Sequence, residues 1–400
     1  MTSTPGAEAT AKRNVFLLMC CQALLFVNNT TMIAVHGLVG LVLAPSVALA
    51  TLPVTSYVIG SAIATAPIAR MMKHYGRNIG FTVGTLFGMV GVVCCAGGAY
   101  YRVFPVLCMG AALVGVYNAC GQLYRFAAAE VAGTGFKERA ISLVLAGGIV
   151  GGIVGPNLAS YSKDWLAVTY AGSYLSLVVP AILTLFVLRQ ISFPAQSAAE
   201  RAAGGRPLAE IMRQPVFIVA CGGAVIGYGV MNLLMTATPI AMKTCGFTFS
   251  DSAHVLTLHV VGMFLPSFFT GSLIRRFGVL NIMFTGALLM FACVGIALSG
   301  VELHHFLIAL MTLGLGWNFL FVGGTTLLTE AYRPEEKTKV QGANDFMIFL
   351  TMATSSFSSG ALVTSKGWDI LNYGALPFLV IVSCAILWLA RFRRLSVAIA

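Results

Sequence analysis

Apolar runs long enough to cross a bilayer recur from one end of this 400-residue chain to the other, and no other feature limits its possible folds so severely. Hydrocarbon offers the backbone no hydrogen-bond partner, so a spanning segment must form a helix or join a closed barrel. The runs are continuous and not alternating, which selects helices. About 20 residues at 1.5 Å each cover the roughly 30 Å of hydrocarbon. Twelve spans are predicted, over 14–43, 49–70, 78–98, 104–130, 139–163, 166–189, 215–242, 250–274, 279–299, 304–329, 340–365 and 369–390. Only 9% of the residues are charged and 58% are hydrophobic, where an average soluble domain carries about 25% charged residues. The expected fold class is all-α integral membrane. Lys12 and Arg13 precede the first run as in a signal peptide. That run is too long for one and lacks a small-residue cleavage site, so it is kept as a span.

The basic residues set the expected orientation. With the N-terminus inside, the cytoplasmic segments hold most of the 24 lysines and arginines, as the positive-inside rule requires. The opposite face holds Arg102, Lys163, Lys243 and Lys366. Topology and anionic headgroups thus account for the net charge of +11, and no nucleic-acid partner is implied. The ten cysteines contain no CxxC and lie nearly all within spans, where a thiol behaves as a small apolar side chain. His304 and His305 are adjacent at a span edge and His36 and His259 are isolated, so no metal site is predicted. With no phosphate-cradling loop and no hydrolase triad, neither an enzyme nor a cofactor is expected.

The segment 190–213 is the only long polar stretch away from the ends. It is read as a cytoplasmic linker between a bundle at 1–189 and a bundle at 214–400, six spans in each. The halves match at a shift of 200 residues. Asn118, Glu130, Lys137 and Arg139 in the first correspond to Asn318, Glu330, Lys337 and Lys339 in the second. After spans two and eight, KHYGR (73–77) faces RRFGV (275–279), with Gly76 against Gly278. Internal repeats of this kind mark secondary transporters, whose solute site lies between the repeats.

Over essentially its full length the chain resembles the major facilitator superfamily. That family's loop signature reads roughly G-x-L-x-D-R-x-G-R-R. From Ala69 to Asn78 the chain keeps Gly76 and Arg77 but has Lys73 in place of the acid, and from Gly271 to Gly278 Arg275 replaces it. The resemblance implies the major facilitator fold, twelve helices in two pseudo-symmetric six-helix bundles that work by alternating access. Without the loop carboxylates, Asp345 at the start of span eleven is available to pair with Lys73, Arg70 or Arg77. Span five carries Gly147, Gly151, Gly155 and Pro156 at four-residue steps, a bare helix face that lets a neighbour approach closely. A similar glycine-proline motif occurs in exporters that exchange drugs for protons. Their span-four arginine is absent, since Ala112 stands at that position.

Helical spacing picks one polar face on each of spans one, four, seven and ten, which the resemblance places around the central cavity. The candidate substrate-binding residues are Gln22, Asn29 and His36; Tyr117, Asn118, Gln122 and Arg125; Tyr228, Asn232 and Thr236; and Trp317 and Asn318. An aromatic ring beside an amide suits a flat compound with polar edges. Interhelical hydrogen bonding, about 0.6 kcal/mol each on average, is the competing role for the amides.

Arg125 lies about 7.5 Å along the helix from Glu130, inside the span. A charge facing lipid at the centre of a span costs about 2.5–3.5 kcal/mol, so it requires water, a counter-ion or substrate. It is read either as an ion pair with Asp345 that holds an inner gate or as a substrate contact. The other candidate gating residues are Arg70, Lys73, Arg77, Glu130, Arg139, Arg275, Arg276, Glu330 and Lys339. Glu130 and Arg139, with Glu330 and Lys339, are expected to form ion pairs at helix ends.

LYRFAAAE and ERAISLVLAGGIVGGIVGP in spans four and five resemble the bacterial branch of the superfamily that includes riboflavin importers. That resemblance implies uptake of a small organic solute, with riboflavin first, through the inner membrane by a monomer embedded in lipid and with both termini cytoplasmic. Proton-coupled efflux of drugs or metabolites is the alternative. Asp345 is the one acid inside a span that could couple protons, so facilitated transport also stands open.

Overall fold

The computed structural model describes residues 5–45, 49, 52–133, 136–193 and 205–399, which are helical almost throughout and contain no strand. Residues 194–204 of the polar stretch, Arg201 included, lie outside the described residues. Ten helices among those described are long and apolar enough to cross a bilayer, and His254–Phe264 with Ser267–Phe277, bent by 40°, makes an eleventh. The predicted span eleven is the first part of the helix Lys337–Ile399, and span twelve is its continuation past Gly367 (φ 85°). One glycine in the left-handed half of φ space turns the chain there, where sequence reading had placed a short loop.

Several spans read as continuous are broken. Span four divides into Phe104–Gly121 and Tyr124–Ala132, and span five into Lys137–Ala146 and Gly148–Ser162. Span six divides into Ala171–Ser176 and Val178–Leu188. Proline explains two of the breaks. Pro180 has no N–H to return to Ser176, where the first part of span six stops, and Pro266 sits at the bend of span eight.

Contacts divide the chain into two compact units, residues 1–204 with 338–349, and 205–337 with 350–400. The division falls inside the polar stretch, and the first turns of span eleven group with the first unit.

In the first unit, span five lies against span one along its glycine face. A Cβ at Gly151 would stand 2.6 Å from the Val27 backbone nitrogen, and one at Gly155 would meet the Thr30 hydroxyl. Thr30 and Thr31 donate to the carbonyls of Gly151 and Gly155, both at 2.8 Å. Spans two and four approach as closely, with Gly60 against Ala112 and Gly115 against Ser61. In the second unit, Gly262 lies against Met311 and Gly314 against Met263. The contact between the second and fourth helices of each half is therefore built the same way twice. Gly76 (φ 88°) and Gly278 (φ 86°) start the third helix of each half in a conformation that L side chains rarely adopt, which explains that match in the repeat.

Candidate functional site

Arg125 follows directly on the break in span four. Its Nη1 donates to the Gln122 carbonyl at 2.9 Å and to Gln122 Oε1 at 2.8 Å, closing over the carbonyl that the break leaves behind. Its Nη2 donates to Asp345 Oδ1. The guanidinium stands 4.7 Å from the Phe126 ring centroid, within cation–π range. The two side chains are 1% and 2% exposed. A pair so fully removed from water is held by geometry and by further hydrogen bonds, because Coulomb attraction alone repays the desolvation of two ions poorly. Asn344 supplies one such bond, Nδ2 to Asp345 Oδ1 at 3.0 Å. Asp345 Oδ2 is buried without a hydrogen-bond partner.

A second arginine extends the network within the same unit. Arg77, next to Gly76, is buried and donates through Nη2 to both Glu130 Oε1 and Gln341 Oε1. Its Nε reaches Glu130 Oε2 at 3.4 Å. The start of span three is thus tied to the end of span four and, through Gln341, to the first turns of span eleven. Residues 338–349 carry Gln341, Asn344 and Asp345 along one side, at steps of three and one. Of these the sequence had singled out Asp345 alone, although the polar spacing was there to be read.

Asp345 has Arg125 as its ion partner, the pairing expected for that arginine, in place of the loop cations Lys73, Arg70 or Arg77. The loop arginine Arg77 takes Glu130 instead. Glu130, Arg139, Glu330 and Lys339 were expected to form ion pairs at helix ends. The structure pairs Glu130 with Arg77, and Glu330 with Arg393 at 2.6 Å. The repeat explains the second choice: Val279 occupies the position of Arg77, so no cation follows Gly278. Arg70, Arg139, Arg275 and Arg276 are exposed, while Lys73 and Lys339 are half-buried.

The amides expected to line a cavity are hydrogen-bonded within their own units. Asn29 donates to Asn118 Oδ1 at 2.9 Å, and Asn118 donates to Ser61 at 3.1 Å. Asn318 donates to Ser267 and to the Met263 carbonyl and accepts from Thr270 at 2.7 Å. Asn232 donates to the Met352 carbonyl at 3.0 Å and to Ser355 at 2.9 Å. His36 Nδ1 meets the Tyr174 hydroxyl at 2.8 Å, and Tyr117 meets Thr184 at 3.1 Å. Gln22 is buried and Thr236 half-buried. In the second unit Trp317 stacks on Phe321 at 4.8 Å and takes the edges of Tyr228 and Phe264. Phe264 and Phe321 were not anticipated, though Phe321 is one helical turn beyond Trp317 on the same face.

The Major Facilitator Superfamily profile matches residues 16–253 and 219–398. The chain is a major facilitator superfamily transporter. The riboflavin transporter RfnT of Brucella anthropi is 41% identical to this transporter over 379 residues, 94% of this chain and 95% of that one. The transporter YddS of Bacillus subtilis is 26% identical over 87% of this chain and 83% of its own. Two solved structures share the fold. FucP in its outward conformation matches with a TM-score of 0.73, 17% identity and coverage of 95% and 98%. The proton:xylose symporter XylE matches with 0.77, 16% identity and 96% of each chain. This transporter is a multi-pass membrane protein and not an enzyme.

His304 and His305, read from the sequence as no metal site, have an acidic neighbour. Glu302, His304 and His305, at the start of span ten, bring ligating atoms within 4.8 Å of one another. Glu302 and His304 are exposed and already paired, Nδ1 to Oε2 at 3.3 Å.

Proposed function

We propose that this transporter takes up riboflavin across the bacterial inner membrane by alternating access, as a monomer with both termini in the cytoplasm. The observation that carries the vitamin is the likeness to the Brucella anthropi riboflavin transporter, 41% identical over nearly the whole of both chains. The chemistry of the expected lining is compatible. Tyr228 and Trp317 are aromatic and Gln22, Asn29, His36, Asn118, Asn232 and Thr236 are polar, the residue types that suit a flat heterocycle with a polar rim, and in transport Asn29, His36, Asn118 and Asn232 exchange their present partners for the solute.

In this proposal the buried charges are the gate. Arg125 with Asp345, and Arg77 with Glu130 and Gln341, hold the first turns of span eleven at the cytoplasmic end of the first bundle. Those bonds exchange for water or solute when that end opens. The energy of such a pair is recovered only when both partners stay matched, so it favours two discrete arrangements over a continuum.

The test is growth of a riboflavin-auxotrophic bacterium at low external vitamin, with and without this protein, beside a drug-resistance panel. Rescue without resistance supports uptake. Resistance without rescue supports proton-coupled efflux, the reading that the glycine-proline face of span five favours.

A further inference from the structure

The repeat is broken at one seam. In the first unit Gly147, Gly151 and Gly155 bring span five onto span one. Two hundred residues on, the same face of span eleven carries Met347, Thr351 and Ser355. Side chains stand where the first unit has none, and the bare position at this seam is on span seven instead, where a Cβ at Gly229 would stand 2.7 Å from Thr351 Cγ2. Asn232 and Ser359 bridge the two helices, Ser359 donating to the Leu233 carbonyl at 2.7 Å. Beside that bridge a groove of about 480 Å³ remains between spans seven, eleven and twelve, wholly within the second unit.

Its walls define its occupant. Span seven contributes Ile226, Gly229 and Leu233, span eleven Thr351 and Ser358, and span twelve Phe378. The hydroxyls of Thr354 and Ser355, also in the wall, are spent on their own helix: Thr354 donates to the Leu350 carbonyl at 3.1 Å and Ser355 to that of Met352 at 3.2 Å. Asn232 takes up the Ser355 oxygen as an acceptor. Apart from the Thr351 and Ser358 hydroxyls the rest of the wall is apolar, so a solute with a polar rim would gain little there. Phe378, Val380 and Ile381 on span twelve are about half exposed, on a helix that crosses hydrocarbon. The span-seven wall, residues 225–233, lies ten or more residues from either end of Pro215–Thr244, about 15 Å at 1.5 Å per residue. That distance is close to half the hydrocarbon thickness, beyond the reach of a headgroup.

We infer that the groove seats one acyl chain of a bilayer phospholipid, held by its methyl half between spans seven, eleven and twelve. The chain fills the space beside that seam. This inference does not depend on riboflavin as the solute.

The test uses the full-length protein in nanodiscs that contain a phosphatidylethanolamine with a diazirine near one chain terminus. Labelling at 225–233 and 351–362 is compared by mass spectrometry with labelling at 86–93, an exposed face of span three. The expected result is at least about a fivefold excess over the reference at equal light dose. Ser358→Phe, or Leu362→Phe should the first fail to fold, fills the groove and brings the excess down to the reference level, with labelling at 86–93 unchanged. Labelling no higher than the reference in the wild type overturns the inference, as does an excess that a folded filling variant retains. Loss of the excess on adding free riboflavin also overturns it, because the groove would then belong to the solute path.

Discussion

At the scale of single residues, the buried pair Arg125–Asp345 is the most consequential contact, because each partner is intolerable without the other. Removing one charge leaves its partner buried and uncompensated, at a cost of about 3–5 kcal/mol, whereas replacing both with apolar side chains of similar volume is near neutral. Arg125→Ala and Asp345→Ala should each lower thermal stability in detergent strongly. The double variant Arg125→Met with Asp345→Leu should recover most of that loss while transport stays abolished. Arg125→Lys keeps the charge but not the planar fork that serves Gln122 and Asp345 together, and its transport rate should fall by about tenfold.

A second pair lies outside the membrane-spanning segments. Glu336 is buried and accepts from the side chain of Arg206 and from the backbone N–H groups of Arg206 and Arg333. The Arg206 guanidinium chiefly, then these backbone donors, hold its carboxyl down at about 2. A depressed carboxylate contributes stability that is complete above its ordinary value near 4.5 and is lost as pH falls towards 2. Thermal melts between pH 6 and pH 3 should therefore show a decline in the wild type that is much smaller in Glu336→Gln.

At the scale of helices, glycine does opposite things in the two halves. Gly151→Val should collide with the backbone of span one and lower stability by about 1–3 kcal/mol, the usual cost of overpacking, whereas Thr351→Val at the matching position should be tolerated. Melting temperatures of the two variants in one detergent decide the point. The spans and the glycine face were legible in the sequence because hydrophobic length and residue size are local properties. The breaks in spans four and five were not, because the glycines beside them, Gly121 and Gly147, occur equally in unbroken membrane helices. The pairing of Arg125 with Asp345 was legible, since each is a lone charge within its span, but the partner of Glu130 was hidden. Glu130 has cations in every nearby segment, and only the packing of span three beside span four selects Arg77. The amides of spans one, four, seven and ten were recognised as polar positions, but nothing in their spacing said that Asn118 and Asn318 would be engaged by serines of spans two and eight.

At the scale of the whole molecule, the repeat at 200 residues is carried through to repeated contacts, with Gly60 and Gly262, Gly115 and Gly314, and Asn118 and Asn318 in matching roles. The departures from it mark where the halves differ in duty. Arg77 has no counterpart, so the first bundle alone has a loop arginine at the end of its fourth helix. The glycine face of span five has no counterpart in span eleven, the helix whose start groups with the first unit. Counterflow measures the central claim most directly: purified protein in liposomes loaded with unlabelled riboflavin is offered labelled riboflavin outside. The account predicts transient, saturable accumulation of label that disappears with Arg125→Ala. Accumulation no greater than in protein-free liposomes, or equal with Arg125→Ala, would contradict it.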